Sequence, residues 1–353
     1  MSIRRRSISS RLIWPLAVVL CGAMPGAAPL FAGDEEHGGV LDAIERGVQE
    51  VMAKCSGAIV RIEAAGAQQP LCGTGFFIDP NGTLYTSYSV AGESRDIQVT
   101  LGGRRYPAER LMSDMGTGIA LLKIDAETPF LMLGKSRTLA VASPVIAIGF
   151  PMELPLTPSF GIVGGFDLKY MGRYFATTHI RANLPVQRGE GGAPLLNTKG
   201  EVVGILISGI DAGSASFVLP IEAAEKLRMD FVRFHEPRPS WIGLHVKPAQ
   251  SPAEGSTAQI EQAIADGPAE RAGLRAGDVL LQVGDRKITT PEDVLDASFY
   301  MVVDDEVPVR VVRGDQQLEF KVQPSDRPDL PRHRIPAIGS TESHPGTALK
   351  LSQ

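Results

Sequence analysis

The chain has 353 residues, 43% of them hydrophobic and 21% charged, which suits two or three compact units of ordinary globular composition. Its formal charge is −5; the four arginines of the leader precede the first acidic residue, Asp34, so removing the leader would take the charge to −9. A mildly acidic chain with no basic stripe offers nothing to a phosphate backbone, and a nucleic-acid partner is excluded.

Residues 1–32 read as a secretory signal. Arg4 to Arg11 is basic, Leu12 to Met24 apolar, and mostly small residues follow to Ala32. Export to the periplasm or cell envelope is expected, with cleavage after Ala32. The alternative is an uncleaved leader serving as a membrane anchor, although Pro15, Pro25 and Pro29 interrupt the run. Beyond the leader the chain holds two cysteines, Cys55 and Cys72. They flank a hairpin in which Cys72 would pair opposite about residue 63, leaving Cys55 to one side. Two free thiols are therefore preferred to a disulfide.

Gly38 to Ala53 has apolar residues at helical spacing and predicts an amphipathic helix. From Ala58 the pattern changes to short strands punctuated by glycine and proline: 58–62, 75–78, 96–101, 119–124, 144–149, 202–207 and 216–219. Many short strands without intervening helices argue for two consecutive antiparallel barrels. Ile221 to Phe234 is a second amphipathic helix, and residues 235–240 break the pattern with Pro237 and Pro239. A further unit runs from residue 240 to 324, with a helix starting at Thr290–Pro291. There Thr290 would supply a cap and Pro291 a preset first position. Residues 325–353 are rich in Pro, Arg, Asp, Ser and Thr and are expected to be a disordered tail.

Four segments carry a resemblance. Gly73–Val90 (GTGFFIDPNGTLYTSYSV), Ser113–Ile124 (SDMGTGIALLKI), Val145–Val163 (VIAIGFPMELPLTPSFGIV) and Gln187–Ile205 (QRGEGGAPLLNTKGEVVGI) resemble, in that order, stretches of the HtrA/Deg-type serine proteases. Trp241–Val246 (WIGLHV), Gly267–Asp285 (GPAERAGLRAGDVLLQVGD) and Thr290–Leu295 (TPEDVL) are similar to the PDZ domain that follows in that family. The resemblance runs from about residue 40 to 324. It implies a mostly β chain: a trypsin-like double β-barrel with its N-terminal helix over 38–235, then an α+β PDZ domain over 240–324.

Hydrolysis by this family's mechanism needs a serine hydroxyl, an imidazole to take its proton and a carboxylate to hold the imidazole. The resemblance places Ser89 at the histidine position, Gly118 at the aspartate and Gly191 at the nucleophile. No histidine lies between His37 and His179, and no serine between Ser159 and Ser208, so shifting the alignment restores neither group. Asp114 could be displaced toward the aspartate position, but alone it would orient nothing. His179 reads as a structural residue and Glu190 as a solvent-facing residue at a loop tip. The amides of Gly189 and Gly191 would keep at most a residual oxyanion loop, with an ordinary barrel-closing turn preferred. No metal-ligand set and no phosphate loop appears, so no cofactor or metal is expected.

In the PDZ-like part the resemblance assigns the amides of Ile242, Gly243 and Leu244 to a peptide's terminal carboxylate. A peptide strand would then add along Leu244–Val246, with Val294, Ala297, Ser298 and Met301 lining the pocket. The residues thus predict a pseudoprotease that cuts nothing and binds unfolded or C-terminal peptide segments as holdase, adaptor or regulator. A homo-oligomer is expected, with active HtrA-type relatives as further partners. Two alternatives stay open: a serine-type endopeptidase with an unorthodox site, and a structural or assembly protein with a silent groove.

Overall fold

The structure, a computed structural model, describes residues 34–66, 69–210, 215–326 and 328. The leader and most of the tail lie outside the described residues. Helix α1 (Asp34–Cys55) crosses a division at Arg46/Gly47, from which the rest of the chain forms one compact unit. In that second unit Val51 and Cys55 of α1 are buried.

The first part of the unit is a seven-stranded antiparallel sheet. Its strands are β1 (Ile59–Ala65), β2 (Pro70–Phe77), β3 (Thr83–Ser87), β4 (Arg95–Leu101), β5 (Arg104–Pro107), β6 (Glu109–Asp114) and β7 (Ile119–Lys123). Their order is β5-β4-β1-β2-β3-β7-β6, and a one-turn helix α2 (Tyr88–Ala91) follows β3. Cys72 pairs with Glu63 across the β1–β2 ladder, and both Cys55 and Cys72 are free.

The second part is a closed six-stranded barrel. It comprises β8 (Pro144–Gly149), β9 (Thr157–Tyr170), β10 (Arg173–Ala182), β11 (Pro194–Leu196), β12 (Val202–Ile210) and β13 (Ala215–Pro220).

Alternation explains how the strands build more than one core. Along β7, Ala120 and Leu122 face a cluster inside the first sheet, while Ile119 and Leu121 face the seam between sheet and barrel. Along β12, Val203 and Leu206 fill the barrel while Val202 and Ile205 face the same seam, because the register against β11 shifts between Leu195 and Leu196 and leaves Val203 as an extra residue. Helix α3 (Ile221–Phe234) closes the seam with Ile221, Ala223, Ala224 and Leu227. Tyr85 is fully buried there, and its hydroxyl donates to Glu225 Oε1 at 2.7 Å. Burying an aliphatic or aromatic side chain of this size contributes about 1.5–3 kcal/mol.

The third part has its own core around Ile260, Leu280, Val309 and Val311. It consists of β14 (Ser240–Trp241), β15 (Leu244–Ala253), β16 (Ser256–Ala263), α4 (Pro268–Arg271), β17 (Val279–Val283), β18 (Arg286–Lys287), α5 (Pro291–Tyr300), β19 (Val307–Arg313), β20 (Gln316–Val322) and β21 (Ser325–Asp326). Strand β15 is the edge of the sheet β15-β16-β17-β19-β20. Helix α5 starts where expected. Asp293 closes the cap by accepting from the Thr289 and Thr290 amides, each at 2.8 Å. One expectation is corrected: Ser325 and Asp326, assigned to the tail by composition, pair with Trp241 and Ser240. The Arg238 guanidinium fixes Asp326 there, with Nε 2.9 Å from Oδ1.

Candidate functional site: a hydroxyl-lined cleft and an edge strand

Strand β3 ends on Ser87, and the turn of α2 brings Ser89 back over it, so the two Oγ atoms lie 2.9 Å apart. Ser87 is fully buried and Ser89 exposed. Gly118 faces them through its carbonyl, which accepts from Tyr88 N at 2.7 Å. Its φ of +78° suits glycine, and a Cβ there would stand 2.5 Å from Ile207 Cγ2. An apolar side chain therefore fills the place of a carboxylate. Asp114 is occupied locally, accepting from the amide and hydroxyl of Thr117 at 2.7 Å each.

The glycine loop approaches from the barrel. A Cβ at Gly191 would lie 3.0 Å from Ser87 Oγ and 3.6 Å from Ser89 Oγ, so the loop does bring Gly191 to the two serines. Gly189 has φ +97°, and any side chain there would collide with the Phe150 carbonyl. Glu190 differs from the expectation of a solvent-facing tip. It is 3% exposed, because the turn folds its carboxylate back onto the Gln187 amide at 2.7 Å. Burial pushes its carboxyl up, and that hydrogen bond opposes the shift.

His179 is structural in its surroundings. Its ring packs on Phe175 at 4.4 Å and its Nδ1 bonds the Thr177 carbonyl at 2.8 Å. Burial pulls the imidazole below its usual range despite that bond and the nearby Asp296 charge. Among the described residues no group of side chains could hold a metal.

In the third part the Ile242 and Gly243 carbonyls are engaged, accepting from Ala269 N at 2.8 Å and Ile264 N at 2.9 Å. The amides of the same two residues donate no hydrogen bond among the described residues. Leu244 and Val246 lie half-buried on β15. Val294 and Ala297 are buried on α5, and Met301 is buried one residue past the helix, where the backbone becomes extended. Ser298 is half-buried, and its hydroxyl is spent on Leu295 O at 2.7 Å.

Sequence reasoning missed a buried junction between α5 and the barrel. The β10 register slips against β9 between Tyr174 and His179, and this bulge carries Thr177 and Thr178 to the helix. Asp296 accepts from the Thr177 hydroxyl and the Thr178 amide at 2.6 Å each, and it pairs with Arg286. The Arg286 guanidinium also stacks 3.6 Å over the Tyr300 ring. No periodicity marks the contacts of Thr177 and Thr178 with Asp296, since the partners lie 119 and 118 positions apart in the chain.

Comparison with known proteins supplies the family. Residues 73–205 match a trypsin-like peptidase domain and residues 259–313 a PDZ domain. The chain is 30% identical over 283 residues to a probable periplasmic serine endoprotease DegP-like of Halomonas elongata, covering 76% of this chain and 59% of that protein. It is 28% identical to the mitochondrial serine protease HTRA2 of Bos taurus, covering 78% and 67% respectively. The chain thus spans about three fifths to two thirds of the length of these relatives. Among solved structures, the HtrA-type protease AlgW with a tripeptide superposes with a TM-score of 0.65 at 22% identity. That superposition covers 80% of this chain and 97% of the other.

These relatives overturn one expectation. They are named as serine proteases or endoproteases, so the reading of this chain as a non-enzyme is corrected. No helix among the described residues is long and apolar enough to cross a membrane, and the leader, read above as a signal or an anchor, lies outside those residues. With a trypsin-like peptidase domain followed by a PDZ domain in one mostly β chain, the protein belongs to the HtrA-type family.

Proposed function

We propose that this chain captures unfolded or C-terminal peptide segments at its PDZ edge strand and cleaves them as a serine-type endopeptidase with an unorthodox site. The observation that supports capture is the placement of β15 at the edge of its sheet beside the unpartnered amides of Ile242 and Gly243. An extended peptide could add there by main-chain hydrogen bonds while its carboxylate meets those amides. Peptides bound in the solved AlgW structures support the same reading.

Cleavage is assigned to the cleft through the Ser87–Ser89 hydroxyl pair. Ser89 is the exposed member and the nucleophile in this reading, with Ser87 as its hydrogen-bond partner. Among the described residues no imidazole bonds to the pair, so water takes the Ser89 proton and returns one to the leaving amine, and turnover is slow. Protease sites stripped of their triad retain about 10³–10⁴-fold acceleration over water from the oxyanion hole and binding. That residual needs no serine hydroxyl, so cleavage through Ser89 is what is expected above it. Residence in the cell envelope, a homo-oligomeric state and assembly with active HtrA-type relatives belong to the same proposal. The leader's composition and the periplasmic name of the Halomonas relative support the first of these.

Capture is tested by fluorescence anisotropy with a labelled peptide ending in an apolar residue. Binding that weakens on amidation of the C-terminus and in Gly243→Val is the expected result. Gly243 has φ +76°, and a Cβ there would press on Trp241 at 3.2 Å, so the substitution should distort the loop. Equal binding by the amidated peptide would rule out the carboxylate loop.

A further inference from the structure

Strand β15 is open on one side. Its strand partner is β16, with Leu244 opposite Ala263 and Val246 opposite Ile260, and no strand among the described residues pairs with its other edge. Leu244 and Val246 are partly buried and pack on the core that α5 completes with Val294 and Ala297. A sheet edge of this kind presents unpaired main-chain donors and acceptors and templates a further strand. The segment that meets such an edge most often is one tethered nearby.

The fold roots the chain's own tail beside this edge. Ser325 and Asp326 pair with Trp241 and Ser240, and Arg238 Nε lies 2.9 Å from Asp326 Oδ1. Just before them, Pro324 O accepts from Asp304 N at 3.0 Å. Leu244 follows Trp241 closely, within about 11 Å of chain. Residues 327–346 can extend over about 65–70 Å, several times what the return to β15 requires. Pro328, Pro331, Pro336 and Pro345 suit this stretch to a spacer and not to a strand. After Gly346 the pattern changes. Thr347–Leu351 (TALKL) puts Leu349 and Leu351 on one face of an extended chain and Lys350 on the other. Nowhere else in 327–353 do apolar residues stand at alternate positions without a proline or glycine between them.

We infer that Thr347–Leu351 of the same chain adds to β15 as a further strand, with Leu349 and Leu351 toward α5, and holds the groove against weaker ligands. The inference rests on the capture reading above only for the groove it names. A spacer of this length keeps its end at an effective concentration of about 1 mM. Against a dissociation constant of about 0.1 mM for a short apolar segment, the tethered strand fills the groove about nine tenths of the time. An external peptide then finds the groove free about one time in ten, and its apparent affinity falls about tenfold. The tail of a second copy meets the edge only at its bulk concentration, about a thousandfold lower for micromolar protein.

The test compares the full chain with its Leu349→Asp/Leu351→Asp variant, whose substitutions lie beyond β21 and remove nothing from the cores. In fluorescence anisotropy, a labelled peptide ending in an apolar residue should bind the variant about tenfold more tightly than the parent. Hydrogen exchange reads the occupant without any added ligand. The main-chain amides of residues 242–247 should exchange about tenfold more slowly, on average, in the parent than in the variant. Leu349→Ile/Leu351→Ile should behave as the parent in both assays. Equal exchange in parent and aspartate variant would overturn the inference, and tight probe binding by both would then leave capture standing. Slow exchange in the parent alone, with the probe bound by neither protein, would uphold the tail and sink the capture of foreign peptides. Protection that disappears on dilution would give the edge to a second copy's tail and overturn the assignment within one chain.

Discussion

Asp296→Ala is the substitution whose consequence can be worked most fully from the geometry. Asp296 is 7% exposed and accepts two hydrogen bonds from β10 while pairing with Arg286. Removing it leaves the Thr178 amide unpartnered and the Arg286 guanidinium without its counter-charge, with Arg286 Nε already lacking a partner. Breaking a buried pair from one side costs about 3–5 kcal/mol. The Arg286 side chain is 20% exposed and keeps its stack on Tyr300, which places the loss near the lower end, about 3 kcal/mol. Asp296→Asn retains a carbonyl oxygen for both barrel donors and should lose about 1.5–2 kcal/mol. Urea unfolding reads the difference: with an m-value of about 3 kcal/mol/M, Asp296→Ala moves the midpoint down by about 1 M. Because α5 is the element held, the PDZ part should also unfold ahead of the barrels in this variant. A midpoint within about 0.2 M of the parent, in a single transition, would refute the reasoning that this junction ties the two parts together.

Three further outcomes are expected. Gly118→Asp should lose about 2–4 kcal/mol, because it forces a side chain into the left-handed region and against Ile207; combining it with Ile207→Ala should recover part of the loss in the same urea assay. For Glu190 burial raises the folded-state pKa above the unfolded value, so the folded form holds its proton longer and stability falls as pH rises through the interval between the two; Glu190→Gln should flatten that decline in melting temperatures taken from about pH 4 to about pH 7. For Asp293 burial works against ionisation, but hydrogen bonds from Thr289 and Thr290 outweigh it and hold the folded pKa down. Its contribution is therefore present above the unfolded value and lost as pH falls through the folded one, and Asp293→Ala should cost about 1 kcal/mol at neutral pH with the difference vanishing in acid.

Much of the fold was legible because it is carried by local pattern. The amphipathic spacing from Ile221 marks α3 over its observed span, and the apolar run at Pro144–Gly149 marks β8. Hairpin geometry alone put Cys72 opposite residue 63, and a Thr-Pro start located α5. The order of the motifs led to the right family. The parts that escaped depend on distant contacts. Nothing near Thr177 announces the bulge in β10, because its partner Asp296 is 119 positions away. Thr74 looks like any polar strand residue until the loop 115 positions later is seen to hang from its hydroxyl. Glu190 reads as a surface charge because its acceptor role is satisfied by a backbone amide, which every residue but proline offers. Local composition likewise assigned Ser325 and Asp326 to the tail, whereas pairing with Ser240 and Trp241 places them in the fold.

The most direct test of the account is hydrolysis of an unfolded protein by the purified chain from about Gly33, compared with a Ser87→Ala/Ser89→Ala double variant. Slow fragment release that falls in the double variant to the serine-independent residual, with both proteins melting at similar temperatures, is the predicted result. Release at the same rate from both, or from neither, would contradict the assignment of cleavage to the Ser87–Ser89 cleft.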